Sequence, residues 1–171
     1  MNEERDINQI INDGTITKEI IAGKYIFWDI DGTLAPYRFN DHIADPDGSD
    51  NGISLQEIND GVFITRKPSS HMQKIITSCN AKEHIIVSHC QNKKEKDDKE
   101  IWLNDNYPLI RKRLLIPVNS SKADAIIEYC QISQIPLKNI IYVDDVLSFL
   151  REAERKGISS YHISSFLDYD I

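Results

Sequence analysis

Short apolar runs rich in isoleucine, valine and phenylalanine recur along the chain at Tyr25 to Trp28, Ile85 to Val87, Leu114 to Val118 and Ile140 to Val143. Runs this short and this continuous predict strands buried on both faces. Between them the apolar positions change period. Met72, Ile75, Ile76 and Cys79 fall at i, i+3, i+4 and i+7, as do Ala123, Ile126, Ile127 and Cys130, and Val146, Phe149, Leu150 and Ala153. Each set makes one face of an amphipathic helix. Strands alternating with such helices pair in parallel, because a strand returns parallel only through a crossover element. The pattern therefore predicts an α/β fold, a doubly wound, mostly parallel sheet sandwiched by helices. Ser159 to Ile163 reads as a further strand, and Ile7 to Ile21 as helical turns broken near Gly14.

Two stretches depart from this rhythm. Pro36 to Gly61 holds Asp45, Pro46, Asp47, Gly48, Ser49, Asp50, Asn51 and Gly52 with little periodicity, and is expected to be an exposed loop or short hairpin. Its Asp-x-Asp-Gly beginning is similar to a calcium loop, but counting from Asp45 places Asp50 where the glycine belongs, and no glutamate takes the twelfth place, so calcium is not favoured. The charged run from Lys93 to Glu100 reads as a solvated helix face.

Composition narrows the function classes. A length of 171 residues fits one domain, and 40% hydrophobic with 27% charged residues is the balance of a globular protein. The net charge of -7 repels a phosphate backbone, which argues against a nucleic-acid partner. The start MNEERDINQI lacks an apolar signal core, and no stretch approaches the roughly 18 apolar residues of a membrane helix. A cytoplasmic protein is expected. Cys79, Cys90 and Cys130 are odd in number and far apart, which fits reduced packing thiols.

The chemistry concentrates where the strand Tyr25 to Trp28 runs into Asp29, Ile30, Asp31, Gly32, Thr33 and Leu34. Residues two apart in an extended chain project to the same side, so Asp29 and Asp31 are placed to face one volume at the strand's carboxyl end, where open α/β sheets bind ligands. Gly32 allows the chain to leave the strand in a conformation that a Cβ disfavours. Taken alone, an Asp-Gly turn at a strand end is common.

The stretch DIDGTL resembles the first motif of the haloacid dehalogenase-like hydrolases, most of which are phosphatases. The resemblance continues in order: Ser88 after the strand His84 to Val87, Lys122 opening a helix after another strand, and Asp144 with Asp145 ending the strand Ile140 to Val143. It spans about residues 24 to 163, and an ordered set is more specific than any single motif. It implies that Asp29 attacks phosphorus to give an aspartyl-phosphate, while Asp31 protonates the leaving oxygen and then activates water. It further implies magnesium held by Asp144, one oxygen of Asp29 and the backbone carbonyl of Asp31, with Asp145 a second ligand or an anchor. Ser88 and Lys122 would bind the phosphate.

Alternatives stay open at several positions. Thr65, after the apolar run Val62 to Ile64, competes with Ser88, which is preferred because a helical stretch and a further strand separate it from Lys122. Lys122 alone would read as a solvated lysine, Asp144 and Asp145 as a helix N-cap, and Arg66 and Lys67 as exposed residues within reach of substrate. One common form of the family places another aspartate a few residues after the pair; Ser148 and Phe149 stand there instead, so the sequence leaves the direct metal ligand undecided between Asp144 and Asp145. The five histidines show no metal spacing, and His84 and His89 read as structural.

The intervals between motifs leave no room for a folded cap domain, only the Pro36 to Gly61 flap. An uncapped site implies a phosphorylated macromolecule as substrate, or a second copy of the chain supplying a lid. Trp102, Leu103, Tyr107 and Pro108 ahead of Lys122 resemble the run in small deoxynucleotide 5'-phosphatases, which makes nucleoside monophosphates a candidate substrate. A magnesium-dependent phosphomonoesterase is the leading expectation. A non-catalytic phosphate-binding module and a phosphotransferase are its rivals, and intact Asp29 and Asp31 argue against the first.

Overall fold

The computed structural model describes residues 15–37 and 55–171. Helices and strands alternate in the order α1 (Lys18–Ile21), β1 (Tyr25–Trp28), α2 (Leu55–Asn59), α3 (Val62–Thr65), α4 (Ser70–Ser78), β2 (Glu83–Cys90), α5 (Lys93–Asn106), β3 (Lys112–Pro117), α6 (Lys122–Ile132), β4 (Ile140–Asp144), α7 (Leu147–Arg155) and β5 (Ser160–His162). Among the described residues these strands form one five-stranded sheet in the order β3-β2-β1-β4-β5. All four pairings are parallel, as the alternation of periods requires. Each predicted strand is present, β2 extending well beyond the apolar core that marked it.

The side chains of each strand divide between two cores. Ile26, Trp28, Ile86, Ile141 and Val143 pack with Met72, Ile75 and Ile76 of α4 and Trp102 and Leu103 of α5. Phe27, Ile85, Val87, Ile140 and Tyr142 face the other way, onto Ala123, Ile126 and Cys130 of α6 and Leu150 and Ala153 of α7. The period of two along buried strands thus puts α4 and α5 on one face and α6 and α7 on the other. From β1 the chain builds outward through β2 to β3, then returns to place β4 on the opposite side. The reversal leaves a crevice at the carboxyl ends of β1 and β4, the kind of position at which open sheets bind ligands.

Several expectations need correction. The end of the predicted loop Pro36 to Gly61 is helical: α2 begins at Leu55 and buries Ile58 against Phe63 of α3. Val62 to Ile64 is part of a helix, and the exposed Thr65 bonds back to the Val62 carbonyl at 3.1 Å, which removes it as a rival of Ser88. The charged helix α5 is solvated on one side only. Lys93, Lys94, Lys96 and Asp97 are exposed, but Glu95, Asp98 and Lys99 are buried along with Trp102 and Leu103. The remainder of that loop, residues 38–54 with the calcium-like segment Asp45 to Gly52, and residues 7–14 of the predicted helical turns lie outside the described residues. No helix among the described residues is long and apolar enough to cross a membrane.

His84 is structural, as its position implied. The Trp28 indole N–H donates to His84 Nδ1 at 3.0 Å, so that nitrogen must carry a lone pair. Burial pushes the His84 imidazole down to about 4. Folding therefore favours neutral His84, a contribution fully present above the unfolded value near 6.5 and lost as pH falls toward 4. We expect the wild type to lose on the order of 2 to 3 kcal/mol from this source across that window. His84→Asn keeps an acceptor for Trp28 and should flatten the fall, read as melting temperature against pH; matching slopes would refute the assignment.

Candidate active site

The backbone of β1 continues one residue past the strand, where the Asp29 N–H donates to the Val143 carbonyl of β4 at 3.0 Å. Asp29 is thereby held beside the end of β4, and its side chain is buried, as is that of Asp144. Lys122, the first residue of α6, lies between them: its ammonium donates to Asp29 Oδ1 at 2.7 Å and to Asp144 Oδ2 at 2.8 Å. The lysine is itself buried and lies over the Phe149 ring at 4.8 Å. Burial would pull its pKa down, but Asp29 and Asp144 reverse that and hold it above the ordinary lysine value.

Asp144 is fixed from two further sides. The Tyr142 hydroxyl donates to Oδ2, and the Val146 N–H donates to Oδ1 at 2.8 Å. Burial, then the Asp144 charge, push the Tyr142 phenol far above its ordinary value, so it remains a donor. The predicted capping by Asp144 and Asp145 takes the form of this Val146 contact; Val146 is the N-cap residue of α7 and offers no side-chain cap.

Asp145 behaves differently. Its Oδ1 is buried and has no hydrogen-bond partner. Carboxylate oxygens of Asp29, Asp144 and Asp145 all lie within 4.8 Å of one another. Three carboxylates against the single Lys122 ammonium leave two negative charges uncompensated, and burial raises Asp29 to about 7 and Asp145 to about 6, with Asp144 adding to both. An unpartnered buried oxygen, an oxygen-only donor set and a deficit of two charges fit a hard divalent cation.

Asp31 and Ser88 belong to a neighbouring group. Asp31 opens a tight turn from Ile30 to Ala35, with Gly32 at φ +79°, and its carboxylate is not part of the three-acid cluster. Its Oδ1 accepts from Arg66 at 2.9 Å and its Oδ2 from Lys99 at 2.6 Å. Ser88 lies within β2 rather than after it, fully buried, with the Lys99 ammonium 3.4 Å from its hydroxyl. Arg66, expected to be exposed, has a side chain 7% exposed and stacks on the Tyr37 ring at 4.9 Å, whereas Lys67 is exposed as expected.

Of the residues singled out in the sequence, Asp29, Lys122, Asp144 and Asp145 therefore converge, and Asp31 and Ser88 meet beside them. Lys99 and Tyr142 were not foreseen. The signal for Tyr142 was available, since it lies two residues before Asp144 on the same side of β4. That for Lys99 was the i, i+3, i+4, i+7, i+8 spacing of Glu95, Asp98, Lys99, Trp102 and Leu103, an inward stripe written partly in charges.

Gly32 tests how tightly this site is built. A Cβ there would lie 2.0 Å from Asp145 Oδ2, on a backbone that side chains rarely adopt. Gly32→Ala should cost on the order of 1 to 3 kcal/mol in thermal unfolding and displace Asp145; an unchanged melting temperature would show the turn to be looser than described.

No protein-family model matches the chain, and no curated protein sequence matches it. Among solved structures, a hydrolase of the haloacid dehalogenase-like family from Streptococcus pneumoniae superposes with a TM-score of 0.51 at 14% identity, covering 86% of this chain and 92% of its own. The N-terminal part of a Bacteroides fragilis protein containing a phosphatase domain, complexed with magnesium, gives a TM-score of 0.45 at 14% identity over 83% of this chain and 36% of that one. A hypothetical protein from Xanthomonas campestris gives 0.43 at 14% identity, over 85% and 75%. The first likeness shows a shared fold, that of the haloacid dehalogenase-like hydrolases.

Proposed function

We propose that this chain, with its haloacid dehalogenase-like fold, is a magnesium-dependent phosphomonoester hydrolase working through an aspartyl-phosphate on Asp29. A fold hosts many chemistries, so the reading rests on side chains. The observation that carries it is the buried group of Asp29, Lys122 and Asp144 with the unpartnered Asp145 oxygen beside it.

A carboxylate approaching a phosphate dianion meets strong repulsion, which fixed positive charge must offset. Asp29, Asp144 and Asp145 are the residues that would hold the ion. Bound there, it would supply charge neutralisation at the phosphoryl oxygens. Asp145, whose Oδ1 is unengaged, is the stronger candidate for direct contact than Asp144, which already accepts from Lys122, Tyr142 and Val146.

Asp29 forms a bond to phosphorus as the ester P–O bond breaks, and Asp31 gives a proton to the departing oxygen. Asp31 then takes a proton from the water that attacks the acyl phosphate, which frees inorganic phosphate and restores Asp29. Lys122 holds the nucleophile in place and neutralises part of the charge that gathers there. The Ser88 hydroxyl would donate to a nonbridging phosphate oxygen. Because Arg66 and Lys99 occupy both Asp31 oxygens, one contact must open when the ester oxygen arrives. Nucleoside monophosphates are the first substrates to try within this reading. A large phosphorylated substrate or a second copy of the chain would be the means of excluding water.

The expected result is turnover of an aryl phosphate with magnesium, stopped by chelation and lowered on the order of 1,000-fold or more by Asp29→Asn. Equal rates for the wild type and the variant would remove Asp29 as nucleophile.

A further inference from the structure

Lys99 sits within a run of charges on α5, yet it is only 1% exposed. Its ammonium donates to Asp31 Oδ2 at 2.6 Å, to Glu95 Oε1 at 2.7 Å and to the His89 carbonyl at 2.7 Å. Those are the three short contacts, as many as an ammonium has N–H bonds, and the Ser88 hydroxyl lies further off at 3.4 Å. The Phe63 ring lies 4.6 Å from it. Glu95 is fixed in turn: its Oε2 accepts from the Gln91 N–H at 2.7 Å, and its own N–H donates to Asn92 Oδ1 at 2.9 Å. Asn92 is the N-cap residue of α5, so Glu95 is held at the start of the helix through both its backbone and its side chain, and Lys99 is tied to a carboxylate fixed there.

Arg66, the other cation on Asp31, has fewer hydrogen bonds from its side chain, although Trp102 anchors its backbone carbonyl at 2.7 Å. It stands at the C-cap of the four-residue helix α3, touches Asp31 through one nitrogen, and its second terminal nitrogen is buried with no hydrogen-bond partner. Asp31 thus has one oxygen in a fixed clamp and one whose partner has fewer ties.

We propose that Lys99 is a positioning residue for Asp31, fixing Oδ2 so that Oδ1, once Arg66 moves aside, faces the ester oxygen of the substrate. The inference rests on the phosphatase reading and deepens it. With Arg66 displaced, Asp31 Oδ1 takes up a proton from solvent, and as the bond from Asp29 to phosphorus forms and the ester bond breaks, that proton passes to the leaving oxygen. The carboxylate charge that remains on Asp31 meets an ammonium already in place, with no reorganisation at the moment of transfer.

The test is leaving-group dependence. A nitrophenolate leaves without a proton, whereas an alkoxide needs one. Lys99→Met should lower kcat/KM for a simple alkyl phosphate on the order of 100-fold, and for nitrophenyl phosphate by less than about 10-fold. Lys93→Met, exposed on the same helix, should match the wild type on both esters. Equal losses for the two esters in a folded Lys99→Met protein would overturn the proposal. Should that variant fail to fold, Glu95→Gln decides the question: glutamine keeps an acceptor for the Gln91 N–H but removes the charge that holds Lys99. A loss biased toward the alkyl ester supports the clamp, and equal or absent losses overturn it. Wild-type protein that turns over neither ester would remove the phosphatase reading and this inference with it, whereas wild-type turnover with equal losses removes Lys99 alone.

Discussion

Carboxylates gathered out of water at the ends of two neighbouring strands are the constraint on which this structure turns. Asp29 and Asp144 are buried where β1 and β4 stop, and Asp145 adds a buried oxygen with nothing bonded to it. Bringing such charges together without partners costs several kcal/mol each. Lys122 offsets part of that cost by bonding to both Asp29 and Asp144. The remaining deficit is the ground on which a divalent cation, and with it phosphate chemistry, is proposed for the site.

The two faces of the sheet contribute different parts of the site. Lys122 arrives from the face covered by α6 and α7, together with Tyr142 and Asp144, which share one side of β4. Lys99 arrives from the face covered by α4 and α5, to which Ser88 also points, two residues beyond Ile86. Each cation pairs with its own acids: Lys122 with Asp29 and Asp144, Lys99 and Arg66 with Asp31 and Glu95. The second group is balanced, two cations to two carboxylates. The first is not, and that imbalance sets apart the group proposed to hold a metal ion from the group proposed to handle protons.

Much of this was legible in the chain. Continuous apolar runs located β1 to β4, because strands between two layers of helices carry no regular alternation of polar positions, and the 3.6-residue period located α4, α6 and α7. Four short motifs at strand and helix ends predicted the residues that meet. Legibility failed where hydrophobicity and burial part company. Glu95, Asp98 and Lys99 look solvated because their type is usually solvated, yet reciprocal pairing allows them inside. Val62 to Ile64 is apolar enough for a strand, but three residues of such a run do not distinguish strand from helix, and packing against α5 and α2 decided for helix. Arg66 reads as a surface residue until Asp31 and Tyr37 are placed around it.

The most direct test of the central claim is to capture the covalent state. Acid-quenched steady-state turnover of a phosphate ester, followed by borohydride reduction, converts an acyl phosphate to the corresponding alcohol, and peptide mass spectrometry locates it. The account predicts conversion of residue 29 to homoserine, in proportion to the enzyme engaged in turnover. Reduction at a different side chain, or continued hydrolysis with residue 29 never modified under conditions that trap acyl phosphates, would contradict it.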